Sequence, residues 1–332
     1  MFSALAVCYL FLGGVGGGAA VVLGACGLAI PRVALASIPR TASHYTCGTC
    51  GAQGTPEFSL RDMEAYRRLL APLSFAAFAL LSAGMVCLLA DLGSPARAML
   101  LFTSPHASFI AVGAWVLAFT AVVLVAQCAL WGGWLRVPVV AARTIQLACA
   151  VLGVATALYT GLMLSDLQAV PLWSTPLLPA LFTLSSLSCG LALAVISAIF
   201  SGASRSFASL VRTFERLDAV AIATEGAVLA AFVVRAISPV EQTATDQVRE
   251  AAGNLLAFGP DAWAFWALFV GAGLVVPFAF DVVAPLRSRR TRAASPFPAL
   301  FAMACVLAGG FVMRYCIVGA GMQPYAVLAG TF

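Results

Sequence analysis

The sequence has few charged residues and no lysine. Only 9% of its 332 residues are charged, whereas 62% are hydrophobic and the mean hydropathy is +1.01. A soluble domain carries roughly a quarter charged residues, so this shortage excludes a water-soluble globule. All 18 basic residues are arginines, and the net charge of +5 gives no indication of nucleic-acid binding. We expect the lipid bilayer to be the solvent of this protein.

Histidine and the common cofactor-binding motifs are equally scarce. The only two histidines, His44 and His106, are predicted in loops or at helix ends. A haem held between helices usually needs axial histidines at membrane depth, so we expect no haem. The sequence has no Walker loop, no dinucleotide-binding glycine motif and no zinc-hydrolase motif. If the protein handles electrons, they must pass through a bound organic carrier and the metal centres of a partner.

Eight hydrophobic segments are each long enough to cross a bilayer, which takes about 20 mostly apolar residues. None alternates polar and apolar residues as the strands of a membrane barrel do. We therefore predict an all-α polytopic membrane protein with a single integral membrane domain. The predicted helices lie near 5–30, 69–90, 108–131, 144–165, 177–200, 217–238, 262–284 and 298–321. The first segment lacks a basic start, so we expect it to be retained as a helix.

The arginines are distributed unequally between the two sides of the membrane. With eight spans, Arg97 and Arg249 lie on the side of both termini, and Arg235 and Arg314 lie within spans. The loops of the opposite side carry Arg32, Arg40, Arg61, Arg67, Arg68, Arg136, Arg143, Arg205, Arg212, Arg216, Arg287, Arg289, Arg290 and Arg292. By the positive-inside rule, this arginine-rich side is cytoplasmic, and both termini are outside, on the arginine-poor side.

Two of the ten cysteines stand apart from the rest. Eight fall within predicted helices, where cysteine packs as a small apolar residue. Cys47 and Cys50 form a Cys-x-x-Cys pair near His44 in the first arginine-rich loop, so a metal is conceivable. The loop lacks a fourth ligand, and Gly51 stands where a c-type haem site has histidine. The default interpretation is a reduced structural loop, with metal or redox function as the alternative.

Charged residues inside the spans are functional candidates, because each costs about 2.5–3.5 kcal/mol to insert. Glu225 is predicted near the middle of the sixth span, and Asp281 at the cytoplasmic end of the seventh. These two are candidates for a proton relay. The competing interpretation is structural: Arg314 or Arg235 neutralises Glu225 or Asp166 within the bundle.

Polar groups converge on the arginine-poor half of the membrane. A quinone headgroup needs hydrogen-bond donors and a proton exchanger at its carbonyls, beside an apolar slot for its tail. The candidates for this site are Tyr9, Asp91, His106, Tyr159, Asp166 and Arg314.

Three segments of the loops on the arginine-poor side, 91–97, 103–108 and 170–179, contain proline, and the first of them is short and turn-rich. Proline stiffens a loop and presets the first turn of the following helix, which suits the docking of a soluble partner. The docking candidates are Arg97, Trp173 and Pro176, of which Trp173 is also a candidate interfacial anchor.

Five segments occur in an order that resembles the NrfD/PsrC family, the integral membrane subunits of the polysulfide-reductase type. They are Tyr9-Leu10-Phe11-Leu12-Gly13-Gly14, Asp91-Leu92-Gly93-Ser94-Pro95, Tyr159-Thr160-Gly161, Trp173-Ser174-Thr175-Pro176-Leu177-Leu178-Pro179 and Arg314-Tyr315-Cys316-Ile317-Val318. The resemblance implies two four-helix bundles and a quinone site toward the outer face. It also implies a docked ferredoxin-like iron–sulfur subunit, usually connected to a molybdopterin or multihaem catalytic subunit. Ser174 departs from the asparagine common in the family, and the first helix offers mainly Tyr9 to a quinone.

The resulting hypothesis is a membrane anchor and quinone-binding subunit of a multi-subunit oxidoreductase in the bacterial cytoplasmic (inner) membrane. It would bind menaquinone or another quinone and would not be a complete enzyme alone. One rival is an ion or solute transporter, which Glu225 and the glycine-rich first helix allow. The other is a passive anchor without a working quinone site.

Overall fold

The computed structural model describes residues 4–30, 60–93, 109–135, 137–167, 169–202, 208–238, 244–287 and 297–329. These residues form helices and short connections without strands, and eight helices are long and apolar enough to span a membrane. The predicted all-α polytopic fold is confirmed. The helices are α1 (Ala4–Ala29), α2 (Leu60–Leu92), α3 (Phe109–Gly132), α4 (Val139–Ser165), α5 (Leu177–Phe200), α6 (Ala208–Ile237), α7 (Ala244–Phe258), a π-helix (Ala264–Val275), α8 (Val276–Arg287) and α9 (Phe297–Ala329).

Three helices extend well beyond their predicted ends: α2 and α6 at the arginine-rich side, and α9 at the arginine-poor side, where it ends at Ala329 rather than near 321. α2 begins at Leu60 rather than near 69, and α6 begins at Ala208 rather than near 217. Their hydropathic spans begin later, at Tyr66 and Leu210. Hydropathy detects only the apolar part of a helix, whereas backbone hydrogen bonding continues into polar turns beyond it.

Helix α7, which does not span a membrane, is an addition to the predicted set. Asp246 and Arg249 form a salt bridge of 2.9 Å along one face of it. Ala252 and Leu256 are buried, and the helix packs against α6 and α9. α7 is thus an amphipathic helix in the connection between the sixth and seventh spans.

The seventh span combines two helix types. Its first part is the π-helix Ala264–Val275, and its second part is α8. Within the π-helix, Gly273 meets Gly309 of α9 so closely that a Cβ on Gly273 would lie 2.6 Å from the Gly309 Cα. A larger residue at either position would separate these two backbones.

α1 lies at the centre of the helix packing and contacts α2, α4, α5 and α9. Glycines permit these contacts. A Cβ on Gly18 would overlap the Ser186 carbonyl of α5, and a Cβ on Gly24 would lie 2.5 Å from the Ala150 nitrogen of α4. Absent side chains bring the backbones together, as in other membrane helix pairs.

Two arginines also tie the helices together at the arginine-rich end. Arg143, at the start of α4, donates to the Gly27 carbonyl at 3.1 Å and to the carbonyls of Leu28 and Ile30. Arg67 of α2 donates to the Trp131 carbonyl at 3.2 Å. The last carbonyls of a helix have no partner within it, so these side chains satisfy the ends of α1 and α3.

The first four spanning helices pack in a closed set, in which α1 contacts α2 and α4 and α3 lies against both of those. In the second half, α5 packs on α6 and α9, and α8 packs on α6. α1 also contacts α5, so the two halves adjoin along it. The grouping into two four-helix bundles and the outward position of both termini remain predictions.

Candidate functional site

Two tyrosines from different helices adjoin in the arginine-poor half of the protein. Tyr9 of α1 is fully buried, and Tyr159 of α4 is nearly so. The two hydroxyls lie close enough to interact, but their contact does not reach the geometry of a hydrogen bond, so the Tyr9 hydroxyl is unpaired among the described residues. A Cβ on Gly113 of α3 would overlap the Tyr159 ring, so this glycine makes room for the phenol. The sequence analysis predicted both tyrosines, and the structure brings them together.

A groove of about 610 Å³ opens farther along α4 toward its arginine-poor end, and neither tyrosine lines it. Leu162 and Ser165 of α4 follow Tyr159 by three and six residues, about 4.5 and 9 Å along the helix. The groove is lined by Leu162, Ser165, Ser174, Thr175, Pro176 and Pro179. Its volume lies within the usual range for small-molecule sites, and its lining combines hydroxyl and apolar groups.

Arg314 of α9 lies deeper, in a closed cage between α1 and α5. Its guanidinium donates to the Gly310 carbonyl at 2.7 Å, the Ser186 hydroxyl at 2.9 Å and the Ser185 hydroxyl at 3.5 Å. The rings of Phe11 and Phe182 lie 5.8 and 5.2 Å from its central carbon. The side chain has no exposed surface, so Arg314 does not line the groove.

The cage is possible because of a glycine in α1. A Cβ on Gly14 would lie 2.7 Å from both Nη2 of Arg314 and Oγ of Ser186. Gly14 thus leaves the space that the guanidinium fills.

Three buried carboxyl groups lie between the arginine-rich end and this cage. Asp281 of α8 adjoins Asp218 of α6, which accepts a hydrogen bond of 2.5 Å from the Ser188 hydroxyl. Glu225 follows Asp218 by seven residues, about 10.5 Å along the same face of α6. Its carboxyl faces the Ser185 hydroxyl, which also accepts from Arg314. We call Asp281, Asp218, Ser188, Glu225 and Ser185 the carboxyl path.

Glu225 and Asp281 were predicted, whereas Asp218 and the serines of α5 were missed. Asp218 lies at the edge of the predicted span 217–238, where a charged residue is common at the end of a membrane helix. In the structure only 1% of it is exposed. The seven-residue spacing from Glu225 was a usable signal, because it puts both carboxyls on one helix face. Ser185, Ser186 and Ser188 formed a second signal, a polar cluster in an otherwise apolar span.

An uncharged polar stripe runs through the first four helices. The hydroxyls of Thr120 and Thr156 are 2.8 Å apart, between α3 and α4. The Trp131 indole donates to the Gln127 amide at 2.9 Å, and Gln146 is fully buried on α4. The threonine contact joins α3 to α4, whereas the Trp131 bond lies within α3 and the Gln146 amide has no hydrogen-bond partner among the described residues.

Two acidic candidates for the quinone site lie at the arginine-poor ends of their helices, as the predicted spans implied. Asp166 caps α4 through its backbone, which donates to the Leu162 carbonyl at 2.9 Å, and its side chain is exposed. Asp91, at the end of α2, is also exposed. Neither belongs to the buried tyrosine pair, although Asp166 immediately follows Ser165 of the groove.

The structure buries Trp173, a candidate for partner docking and for an interfacial anchor. Its side chain is fully buried, and its indole donates to the Ile317 carbonyl of α9 at 3.1 Å. It therefore fastens the loop to α9 rather than meeting lipid headgroups or a partner directly. Ser174 and Pro176 are exposed in the same loop, so the predicted docking surface stays with them.

Four predicted residues fall outside the described residues: His106, Arg97, Cys47 and Cys50. The eight cysteines within the described helices are free thiols. Over the same ranges, no group of three histidine, cysteine or acidic residues is placed to hold a metal ion.

Comparisons with known proteins agree with one another. The family model described as "Polysulphide reductase, NrfD" matches residues 58–326. The C chain of polysulfide reductase from Wolinella succinogenes is 32% identical over 181 residues, 54% of this protein and 54% of that relative. Protein NrfD of Escherichia coli is 30% identical over 186 residues, 55% of this protein and 54% of the relative. The matched region thus spans about half the length of these curated relatives.

Proposed function

We propose a function from the premise that this protein belongs to the NrfD polysulphide reductase family of membrane proteins. It is the membrane anchor and quinone-binding subunit of a multi-subunit oxidoreductase. It exchanges electrons between the quinone pool and an iron–sulfur partner on the arginine-poor, outer face of the bacterial inner membrane. It is not a complete enzyme alone.

The observation that carries the proposal is the buried Tyr9 hydroxyl beside Tyr159. A buried hydroxyl normally has a hydrogen-bond partner, and this one has none among the described residues. A quinone carbonyl fits that requirement, and the groove farther along α4 offers hydroxyls together with apolar walls. Menaquinol or another quinol supplies two electrons and two protons when it is oxidised. Tyr9 and Tyr159 hold and orient its oxygens, and Ser165 and Thr175 supply hydrogen bonds nearer the surface.

The partner is proposed to dock where the groove opens. Ser174 and Pro176 are exposed there, and the buried Trp173 holds their loop against α9. The Wolinella succinogenes relative is, by its name, one of several chains of polysulfide reductase, which supports a multi-subunit assembly. A ferredoxin-like iron–sulfur subunit and a molybdopterin or multihaem catalytic subunit complete the proposal.

Quinol oxidation by the assembled complex tests the site. We expect Tyr159→Phe to lower the rate at least about tenfold, because a group that positions or exchanges the reacting proton commonly contributes 10²–10⁴-fold. Tyr315→Phe is the matched control, because Tyr315 is 52% exposed on the outside of α9. Asp166→Asn changes the residue next to Ser165 of the groove without changing the tyrosine pair, so it tests the two places independently. Unchanged turnover in Tyr159→Phe and Tyr9→Phe would remove both residues from the site and favour a passive anchor.

The carboxyl path supports a second activity, proton transfer between the arginine-rich side and the centre of the membrane. Carboxyl groups accept and release protons, and hydroxyls pass them on. The three carboxyl residues are at least 98% buried: Asp281, Asp218 and Glu225. They therefore cannot be members of ordinary solvent-exposed salt bridges. Ionisable residues retained at this depth in membrane proteins commonly belong to proton or ion pathways.

Proton translocation by the complex in sealed vesicles tests this second proposal. We expect Glu225→Gln and Asp218→Asn to lower the number of protons moved per quinol while quinol binding persists. Glu250→Gln is the control, because Glu250 lies on the partly exposed helix α7. Full stoichiometry in both variants would end the relay proposal and leave the quinone site untouched. Solute-dependent flux in vesicles containing this protein alone would favour the transporter rival.

A further inference from the structure

The carboxyl path ends at a buried positive charge. Glu225 faces Ser185, and Ser185 accepts a hydrogen bond from Arg314. Arg314 is fully buried and satisfies its guanidinium mostly with neutral oxygens of Gly310 and Ser186. Among the described residues, no carboxylate forms a bidentate ion pair with this guanidinium, and its Nε has no hydrogen-bond partner.

Among the described residues that contact the far side of Arg314, the one hydroxyl, that of Ser186, is held by a hydrogen bond from the guanidinium itself. There the guanidinium meets the rings of Phe11 and Phe182 and the bare backbone of Gly14. The titratable groups that act on it, Glu225 and the Cys189 thiol, lie on α6 and α5. Beyond the cage, α1 leads to Tyr9, two residues from Phe11.

A fixed positive charge in a low-dielectric region repels a proton that approaches it, far more strongly than in water. Arginine suits this role better than lysine, because its guanidinium keeps its charge at any physiological pH. Arginines at pore constrictions exclude protons and cations by the same electrostatics.

We propose that Arg314 is the electrostatic barrier that closes the carboxyl path toward the arginine-poor side. The path then opens only to the arginine-rich side, and it cannot conduct protons passively across the whole membrane. The tyrosine pair exchanges its protons with the opposite side. This inference rests on the proton path proposed above, but it does not need quinol turnover.

Passive proton flux through the full-length protein tests the barrier. The protein is reconstituted in phosphatidylcholine–phosphatidylglycerol vesicles with an entrapped pH dye, and a potassium diffusion potential drives protons. We expect vesicles with the wild-type protein to be as tight as vesicles with the Arg235→Met control, which loses an exposed arginine. Arg314→Met should raise proton flux at least about tenfold, because it removes the repulsion and keeps an unbranched side chain. Arg314→Lys should leak much less than Arg314→Met.

A double variant shows whether the leak follows the carboxyl path. Adding Glu225→Gln to Arg314→Met should return the flux to the wild-type level. A leak that persists in the double variant would come from a packing defect and would overturn the inference. So would a folded Arg314→Met protein, checked by size exclusion and thermal unfolding, that is as tight as wild type. If Arg314→Met does not fold, Arg314→Gln replaces it under the same criteria.

The two proposals fail in distinguishable ways. If Arg314→Met is tight but Glu225→Gln stops proton translocation in the complex, the path stands and the barrier falls. If Arg314→Met leaks through Glu225 while Tyr159→Phe leaves quinol oxidation unchanged, the barrier stands and the quinone site falls.

Discussion

Arg314 keeps its position because the residue opposite it has no side chain. The guanidinium and the Ser186 hydroxyl occupy the volume that a Cβ on Gly14 would need, 2.7 Å from each. Real Cβ contacts are essentially never this short, so any larger residue must displace the guanidinium and the Ser186 hydroxyl, or move the helix. The cage thus depends on the absence of a side chain at Gly14 as well as on the three hydrogen bonds of Arg314.

We predict that Gly14→Ala destabilises the protein by about 1–3 kcal/mol, the usual cost of overpacking a core. The same variant should weaken the barrier, because Arg314 must move. Gly319→Ala in α9 is the control, since a Cβ there meets nothing within 4 Å. It should leave stability unchanged or raise it by about 0.5–1 kcal/mol, as alanine suits helices better than glycine. Thermal unfolding of the purified protein measures both, and equal stability of the two variants would contradict the cage.

Candidate residues could be predicted from the sequence where a polar residue lies inside a membrane span. Tyr9, Tyr159, Glu225 and Arg314 are polar groups well inside apolar runs, and the structure buries all four. Their grouping was not predictable, because it depends on which helices adjoin. Sequence order gives no sign that Arg314 meets Ser185 of α5 rather than Asp166.

The loop between α4 and α5 is fixed by one long side chain. Trp173 reaches into the protein and donates to the Ile317 carbonyl, and Gly321 of α9 leaves space for its ring. A Cβ on Gly321 would meet the indole at close range, so ring and glycine form a matched pair. This contact holds the exposed Ser174 and Pro176 in place beside the groove.

We predict that Trp173→Phe lowers stability by about 1–3 kcal/mol, through the lost hydrogen bond and the unfilled volume. It should also weaken association with the partner subunit, because the loop loses its attachment to α9. Trp134→Phe is the control, since Trp134 is 76% exposed and should change stability by at most about 0.5 kcal/mol. Thermal unfolding and co-purification of the complex give the two readouts. Undiminished stability together with intact assembly would refute the anchoring role.

At the scale of elements, hydropathy predicted the membrane spans well, but it did not predict the helix in a connecting segment or the π-helix within a span. α5 was predicted over its full observed length, because turns rich in proline and polar residues delimit it. α7 was missed because a short amphipathic helix of mixed polarity does not reach the length or hydropathy of a span. The π-helix was missed because its i→i+5 hydrogen bonding leaves no mark on composition or hydropathy.

The two ends of the protein differ. Arginines are concentrated at one end, and several hydrogen bonds between helices are found at that same end. Arg67 and Arg143 close helix ends there, and Ser197 at the end of α5 donates to the Leu69 carbonyl of α2 at 3.0 Å. The tyrosine pair and the groove belong to the opposite end. The proposed sidedness assigns this second end to the outside.

Cysteine labelling of intact cells checks that assignment. We predict that Ser174→Cys reacts with a membrane-impermeant maleimide without permeabilisation, because Ser174 is exposed on the arginine-poor side. Trp134→Cys, exposed at the arginine-rich end, should react only after the membrane is opened. The unaltered protein measures the background from its native thiols. The reverse pattern would place the quinone site on the cytoplasmic side and invert the direction of every proposed proton movement.

The backbone-to-backbone meeting of α1 and α5 sets the tolerances of the entire assembly. At Gly18 and Gly190 the two main chains touch with no side chain between them, so nothing there can yield. A substitution that adds a Cβ at either glycine would push α1 and α5 apart. The shift would alter both the space around the Arg314 guanidinium and the contacts of α1 with its four neighbouring helices. The least adjustable dimension of the protein is therefore a helix spacing, and a complete substitution scan should find its steepest losses along this contact rather than at the charged residues.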